Sequence, residues 1–414
     1  MLNRLRSTYR ELPPSFWVLT LASFIDRLGG TMIFPFFALY ITHKFDVGMT
    51  EAGGLFAIFS VTGFIGSIFG GAITDKFGRR SVVLFGLVIS ALSSVMMGLV
   101  DTLSALYTLA FFVGFLSEIG GPARQAMVAD LLPEKKHAEG FGILRVSANL
   151  AWILGPMIGG VLVAKSYLLV FILDAISSLI TAGIFYRFVP ETKPETAKEK
   201  HQETILETLV GYRFIVADRV YMTFLITSMF MMLAYLQLYS TLSVYLRDVH
   251  GVPAQGYGFL MSINATAVVI FQFWVIRQTK RYAPMLMMAL GSALYMVGFV
   301  MYGLVATYSL FAVAMLIITI GEMIVVPVGQ AIVARIAPEA MRGRYMASYG
   351  LSWTIPSAVG PWAAGLIMDN YDPNWVWFAA GIVSAISVVG FYVLYLTVKE
   401  SFSPQGVLVD RPGG

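Results

Sequence analysis

Six ionisable side chains interrupt long apolar stretches of this sequence: Asp26, Arg27, Glu118, Arg145, Asp174 and Glu322. Charge is costly in such surroundings, so these residues are candidates for exchanging protons or receiving a cation. Glu118 and Glu322 fall near the middle of their stretches, and Asp26 and Arg27 lie about 16 Å into theirs at 1.5 Å per helical residue. Arg145 is about two turns into its own run, with Asn149 one turn further along the same face. Asp174 is about two turns in from the opposite side. Arg124 lies near the end of its run, where a long side chain can snorkel, and reads as a gate or anchor.

The two halves of the chain treat these charges differently. Asp26, Arg27, Glu118 and Arg145 can balance one another, with Arg27 and Arg145 as the charge partners. Glu322 has no Lys or Arg in the apolar interior of its own half. Desolvation favours the protonated form of such a carboxylate, which suits a proton carrier. Glu322, with Glu118 or Asp26, is therefore the expected proton-coupling set. The competing readings are a hydrogen-bonded structural glutamate at Glu322 and a structural ion pair at Asp26 and Arg27. For Asp174 a structural or vestibule role is favoured.

The elements that must position these groups are helices. Of the 414 residues, 57% are hydrophobic and only 13% charged, with a mean hydropathy of +0.76. That is about half the roughly 25% charge of a soluble domain, which places the chain in a bilayer. A hydrocarbon core about 30 Å thick takes about 20 helical residues. Runs of that length fall at about 16–41, 52–74, 81–100, 104–130, 138–163 and 167–189. A second six fall at about 219–246, 256–277, 285–306, 309–336, 342–368 and 374–397. The runs are too long for strands and do not alternate.

Residues 122–160 and 327–365 are two copies of one segment. Pro122, Gln125 and Pro133 pair with Pro327, Gln330 and Pro338, and Gly155-Pro156 pairs with Gly360-Pro361. The expectation is an all-α integral membrane protein of twelve transmembrane helices in two pseudo-symmetric six-helix bundles. Residues 1–189 form the first bundle, 190–218 a polar linker, and 219–414 the second bundle with a short tail. A surface helix is expected from about Glu203 to Val216 in the linker. Of the 28 Lys and Arg, Lys44, Lys165 and Arg247 fall on one side and Arg27 and Arg145 within spans, which leaves 23 on the other side. By the positive-inside rule that richer side, with both termini, is cytoplasmic. The apolar run after Arg10 is full length and lacks a small-residue cleavage site, so no cleavable signal is expected.

The loop after the second run reads Gly71-Ala-Ile-Thr-Asp75-Lys-Phe-Gly78-Arg79-Arg80. Gly78 permits a tight turn, Asp75 can meet a helix N-terminus or an arginine, and Gly71 allows close helix approach. The bland alternative is a basic loop obeying the positive-inside rule. This motif resembles the signature of the major facilitator superfamily, and the likeness extends over the twelve runs, the linker and the repeat. It implies a conformational latch at Gly71, Asp75, Gly78, Arg79 and Arg80. The matching loop of the second half, Arg277 to Arg281, keeps the bases but not the acid. Gly155, Pro156, Gly159 and Gly160 resemble the motif of superfamily members that export by antiport; ordinary small-residue packing is the alternative. Gly321-Glu322 resembles a group of multidrug proton antiporters. The arginine that many of these carry four residues before the glycine at Gly114 is Ala110 here.

The resemblance implies a proton-coupled exporter of lipophilic or cationic small molecules, working as a monomer in the inner (plasma) membrane by alternating access. A pliable cavity would draw on Asn149, Met231, Gln237 and Asn264. The alternatives are a lipid or glycolipid flippase of the same fold, a proton symporter importing a metabolite, and a non-transporting receptor or scaffold. No cysteine is present, the four histidines do not cluster, and no phosphate-binding Gly-rich loop occurs. No enzyme activity, metal, cofactor or nucleic-acid partner is expected, and an ion gradient replaces ATP as the energy source.

Overall fold

The computed structural model describes residues 11–192, 213–338 and 341–398. The tail, most of the linker and most of its expected helix lie outside them. Every named element is helical. The first half reads α1 (Pro14–Ile33), α2 (Phe37–Lys44), α3 (Met49–Phe77), α4 (Arg79–Leu99), α5 (Leu103–Ser117), α6 (Gly120–Leu131), α7 (His137–Val163) and α8 (Tyr167–Phe188). The second reads α9 (Arg219–Tyr235), α10 (Gln237–Ser240), α11 (Leu242–His250), α12 (Ala254–Thr279), α13 (Pro284–Leu304), α14 (Tyr308–Ile336), α15 (Arg342–Asn370) and α16 (Trp375–Val398). A short 3-10 turn, Phe34–Phe36, carries α1 into α2.

Among the described residues eleven helical segments are long and apolar enough to cross a membrane. The twelfth expected span is α15, 29 residues long. It has the length but not the hydropathy, because Ser, Tyr, Trp and the in-helix Pro356 and Pro361 dilute its apolar content. Large apolar side chains such as Phe273 (74%) and Trp274 (62%) stay exposed on helix surfaces. Such surfaces suit lipid tails rather than water.

The helices cluster into two compact units. Among the described residues, unit 1 comprises 11–192 and Tyr239–Ala265, and unit 2 comprises 213–238, 266–338 and 341–398. Residues 239–265, assigned to the second bundle by their order in the chain, thus cluster with the first. In unit 2, Tyr295, Phe299 and Tyr302 recur at helical spacing on α13 and are fully buried. They form one face. Phe299 stacks on Trp377 of α16 with ring centroids 6.2 Å apart, and Tyr302 stacks on Phe311 of α14 at 5.8 Å. Lipid tails are as apolar as these rings, so such packing rather than water exclusion holds the helices together.

In unit 1 the Gly155-Pro156-Met-Ile-Gly159-Gly160 segment of α7 meets the start of α12. Pro156 has no N–H to offer the previous turn and its ring crowds that turn. The nearby Ile153 carbonyl accepts a hydrogen bond from Ser262 Oγ at 2.9 Å. Gly258 lies so close that a Cβ on it would stand 2.3 Å from the Pro156 carbonyl oxygen. The motif is thus a packing surface for residues 254–262, as small-residue interfaces in membranes are. Gly258→Ala should lower stability by about 1–3 kcal/mol through backbone displacement. Gly30→Ala, with open space around it, should not lower it. Thermal unfolding in detergent checks both, and equal losses would contradict the close approach.

Candidate functional site

The intramembrane charges of unit 1 converge on one cluster. Asp26 projects from α1, and its Oδ2 accepts from Arg124 Nη1 of α6 at 2.7 Å. Ser178 Oγ of α8 lies 3.3 Å from the other Asp26 oxygen and 3.4 Å from Ser90 Oγ of α4. One turn back on α8, Asp174 is buried and accepts from Ser94 Oγ of α4. Four spans therefore contribute to a layer of two carboxylates, one guanidinium and several hydroxyls. Removing one member of this part-buried pair leaves the other charge unbalanced, at a smaller cost than in a fully buried pair.

This pairing corrects the sequence expectation. The partner of Asp26 is Arg124, the residue read as a gate or anchor. Arg27 and Arg145, expected as charge partners, are exposed and take part in no ion pair among the described residues. Adjacent residues on a helix point about 100° apart, so Arg27 faces away when Asp26 faces the cluster. Glu118 is exposed and does not join the cluster.

Glu118 instead marks a break. Pro122 cannot donate to the carbonyl four residues back, and that carbonyl belongs to Glu118. The Gly121 N–H takes it at 3.2 Å in a 3-10-type turn. Helix α5 ends at Ser117 and α6 starts at Gly120. In the second copy Pro327 frees the Met323 carbonyl in the same way. There Gln272 Nε2 of α12 donates to it at 2.9 Å, and α14 runs unbroken through the proline. Glu322 is half-buried beside this repaired turn.

The loop at Gly78 is held from three directions. Gly78 has φ +88°, a conformation that favours glycine. It caps α4 without a side-chain acceptor of its own. Glu191, at the start of the linker, supplies one: its carboxylate accepts the N–H groups of Arg79 (2.9 Å) and Arg80 (3.1 Å). A carboxylate at a helix N-terminus also meets the favourable end of the helix dipole. Arg79 pairs with Asp130 at the end of α6, and Arg80 lies over the Tyr186 ring at 5.2 Å. The first linker residues are therefore an anchor rather than a passive connector. Gly71 and Asp75 fall in the last turns of α3, and the surroundings of Gly71 and the side chain of Asp75 lie outside what the structure describes.

The family model of the Major Facilitator Superfamily matches residues 19–327 and 251–409. The chain belongs to the major facilitator superfamily. It is a multi-pass membrane transporter and not an enzyme. It is 26% identical over 397 residues to a Na(+), Li(+), K(+)/H(+) antiporter of Planococcus maritimus, covering 88% of this chain and 91% of that protein. It is 24% identical over 355 residues to the multidrug resistance protein MdtH of Citrobacter koseri, covering 84% of each. Its fold matches that of the nucleoside transporter NupG with a TM-score of 0.81 at 14% identity, over 92% of this chain and 100% of that one. A POT family transporter in complex with 5-aminolevulinic acid gives 0.78 at 17% identity, over 93% and 97%.

The expected cavity residues of this transporter divide between the units. Asn149 and Asn264 belong to unit 1, and Met231 and Gln237 to unit 2. Met231 is fully buried. Gln237 lines a cavity of about 110 Å³ within unit 2, where it is the one polar side chain among Leu, Ala, Val, Ile and Gly. Its Nε2 donates to Leu233 O at 2.9 Å.

Two substitutions check these contacts. Glu191→Ala removes the cap of α4 and should cost about 0.5–2 kcal/mol in thermal unfolding; an unchanged melting temperature would show that the loop does not depend on it. Gln272→Leu leaves the Met323 carbonyl without its donor, a loss of about 1–3 kcal/mol. Hydrogen exchange around residues 323–328 should then quicken, and unaltered exchange would contradict the repair.

Proposed function

We propose that this superfamily member is a proton-coupled antiporter that exports lipophilic or cationic small molecules. It works as a monomer in the inner membrane by alternating access, with both termini cytoplasmic. The observation that carries this reading is the Asp26–Arg124 ion pair, 2.7 Å long within unit 1. A proton on Asp26 removes its charge and releases Arg124, so proton uptake changes the contacts that join α1 to α6. Loss of that proton restores the pair. Glu322 supplies the second proton-exchanging group, and Glu118, at the break between α5 and α6, a third. The Asp75 loop acts as the latch. The strong bias of lysine and arginine toward one side supports the orientation, and relatives named as a cation/H(+) antiporter and as a multidrug resistance protein support antiport.

A second reading takes alkali cations as cargo. It is favoured by the buried Asp174 carboxylate, which accepts from Ser94 Oγ, and by Ser177 Oγ, which donates to the Asp174 backbone carbonyl, since oxygen donors are what hard cations take.

In proteoliposomes with an imposed pH gradient, Asp26→Asn should abolish proton-driven transport of tetraphenylphosphonium while the protein stays folded. Glu322→Gln should do the same. Wild-type movement of Na+ in place of tetraphenylphosphonium would favour the second reading. Gradient-driven transport that survives Asp26→Asn would overturn the coupling assignment.

A further inference from the structure

At the end of unit 1 remote from the Gly78 loop lies a cavity of about 740 Å³. It is built from the end of α2, the junction between α7 and α8, and the stretch from Arg247 to Gln255. Among the described residues, three lysines or arginines occur at this end of the unit: Lys44, Lys165 and Arg247. All three line this one cavity. The carboxylates at the same end, Asp46, Glu51, Asp101 and Asp248, do not line it. Asp101 and Asp248 do make contacts with the cations, Asp101 at 3.8 Å from Lys44 and Asp248 at 2.6 Å from Arg247. Lys44 Nζ also donates to Gly98 O at 3.0 Å. Lys165 is exposed and in no ion pair among the described residues.

Two helix starts open into the same space. The first residues of α8, Tyr167 and Leu168, line it, and α8 has no side-chain cap. Ala254 and Gln255, the first residues of α12, line it as well. First-turn N–H groups and the positive end of the helix dipole both favour an anion. Three cations, two helix N-termini and no lining carboxylate make a recognition surface for a tetrahedral oxyanion. Lysine, arginine and backbone N–H groups are the donors that phosphate takes. The volume exceeds the needs of inorganic phosphate, and Leu39, Val163 and Leu168 on the walls suit the first acyl carbons of a lipid.

We propose that this cavity binds a phosphate group, carried by a lipid headgroup or free in solution. A phosphate held there bridges Lys165, between α7 and α8, to Arg247 of α11. It thereby ties residues 239–265 to the first six spans within unit 1.

The test uses the purified full-length protein in detergent. Its melting temperature is followed against sodium phosphate, dioctanoyl phosphatidylglycerol, and dioctanoylglycerol as a phosphate-free control. At least one phosphate-bearing probe should raise the melting temperature saturably. Response to inorganic phosphate assigns the site to a free oxyanion; response to the phospholipid alone assigns it to a headgroup. Lys165→Ala combined with Arg247→Ala should weaken apparent affinity by about tenfold or more, since each removes a charge-assisted hydrogen bond. Lys165→Ala alone, at an exposed side chain, serves if the double variant does not fold, and Lys165→Arg should restore binding. The proposal is overturned if no probe shifts the wild type, if dioctanoylglycerol acts as well as the phospholipid, or if the variants bind like the wild type.

Discussion

A carboxylate facing a guanidinium at 2.7 Å, inside a bundle of apolar helices, is the interaction around which unit 1 is arranged. An unpaired ion in such a place is costly, because its desolvation is not recovered by packing. The pair fixes the contact between α1 and α6. The hydroxyls of Ser178 and Ser90 extend it to α8 and α4. In the proposed mechanism the pair is also the switch: a proton on Asp26 abolishes the ion pair, and the part-buried setting makes that loss weigh more than it would between two solvated side chains.

The backbone obeys a parallel constraint. Within the hydrocarbon region each carbonyl needs a donor, and only helices satisfy that demand locally. The repeated proline breaks the rule at equivalent places, Glu118 in the first half and Met323 in the second. One half closes the gap with a tight turn and interrupts its helix; the other brings in the Gln272 amide and stays continuous. The duplicated sequence thus gives one discontinuous and one continuous version of the same span. Discontinuous helices at membrane depth are where transporters commonly place ion and substrate sites.

Much of the fold was legible in the sequence because bilayer thickness sets run length and the helix pitch sets depth. The twelve runs follow from those, while the repeat is read from matched residues and the loop motif from its resemblance to the superfamily signature. Partner choice did not follow. Asp26 and Arg124 are 98 positions apart, and their helical depths differ by several ångströms, about the reach of an arginine side chain. Arg27 was nearer in sequence yet faces away. Glu191 looked like one more charge in a solvated connector. Its role depends on α4 starting at Gly78 with a positive φ and no cap of its own. Gln272 was one amide in an apolar run, and only the position of α12 beside Pro327 gives it a carbonyl to meet. In each case the chemistry of the residue was visible, and the neighbour was supplied by helix packing.

In the proposed mechanism, protonating Asp26 releases Arg124. Nitrogen-15 magnetic resonance of the Arg124 guanidinium, in protein reconstituted into bilayers, reports that release without any need for a substrate. On acidification the Arg124 signals should move from their ion-paired positions to those seen in the Asp26→Asn variant at neutral pH. Signals that stay in place across the titration, or that already match the variant at neutral pH, would contradict that release.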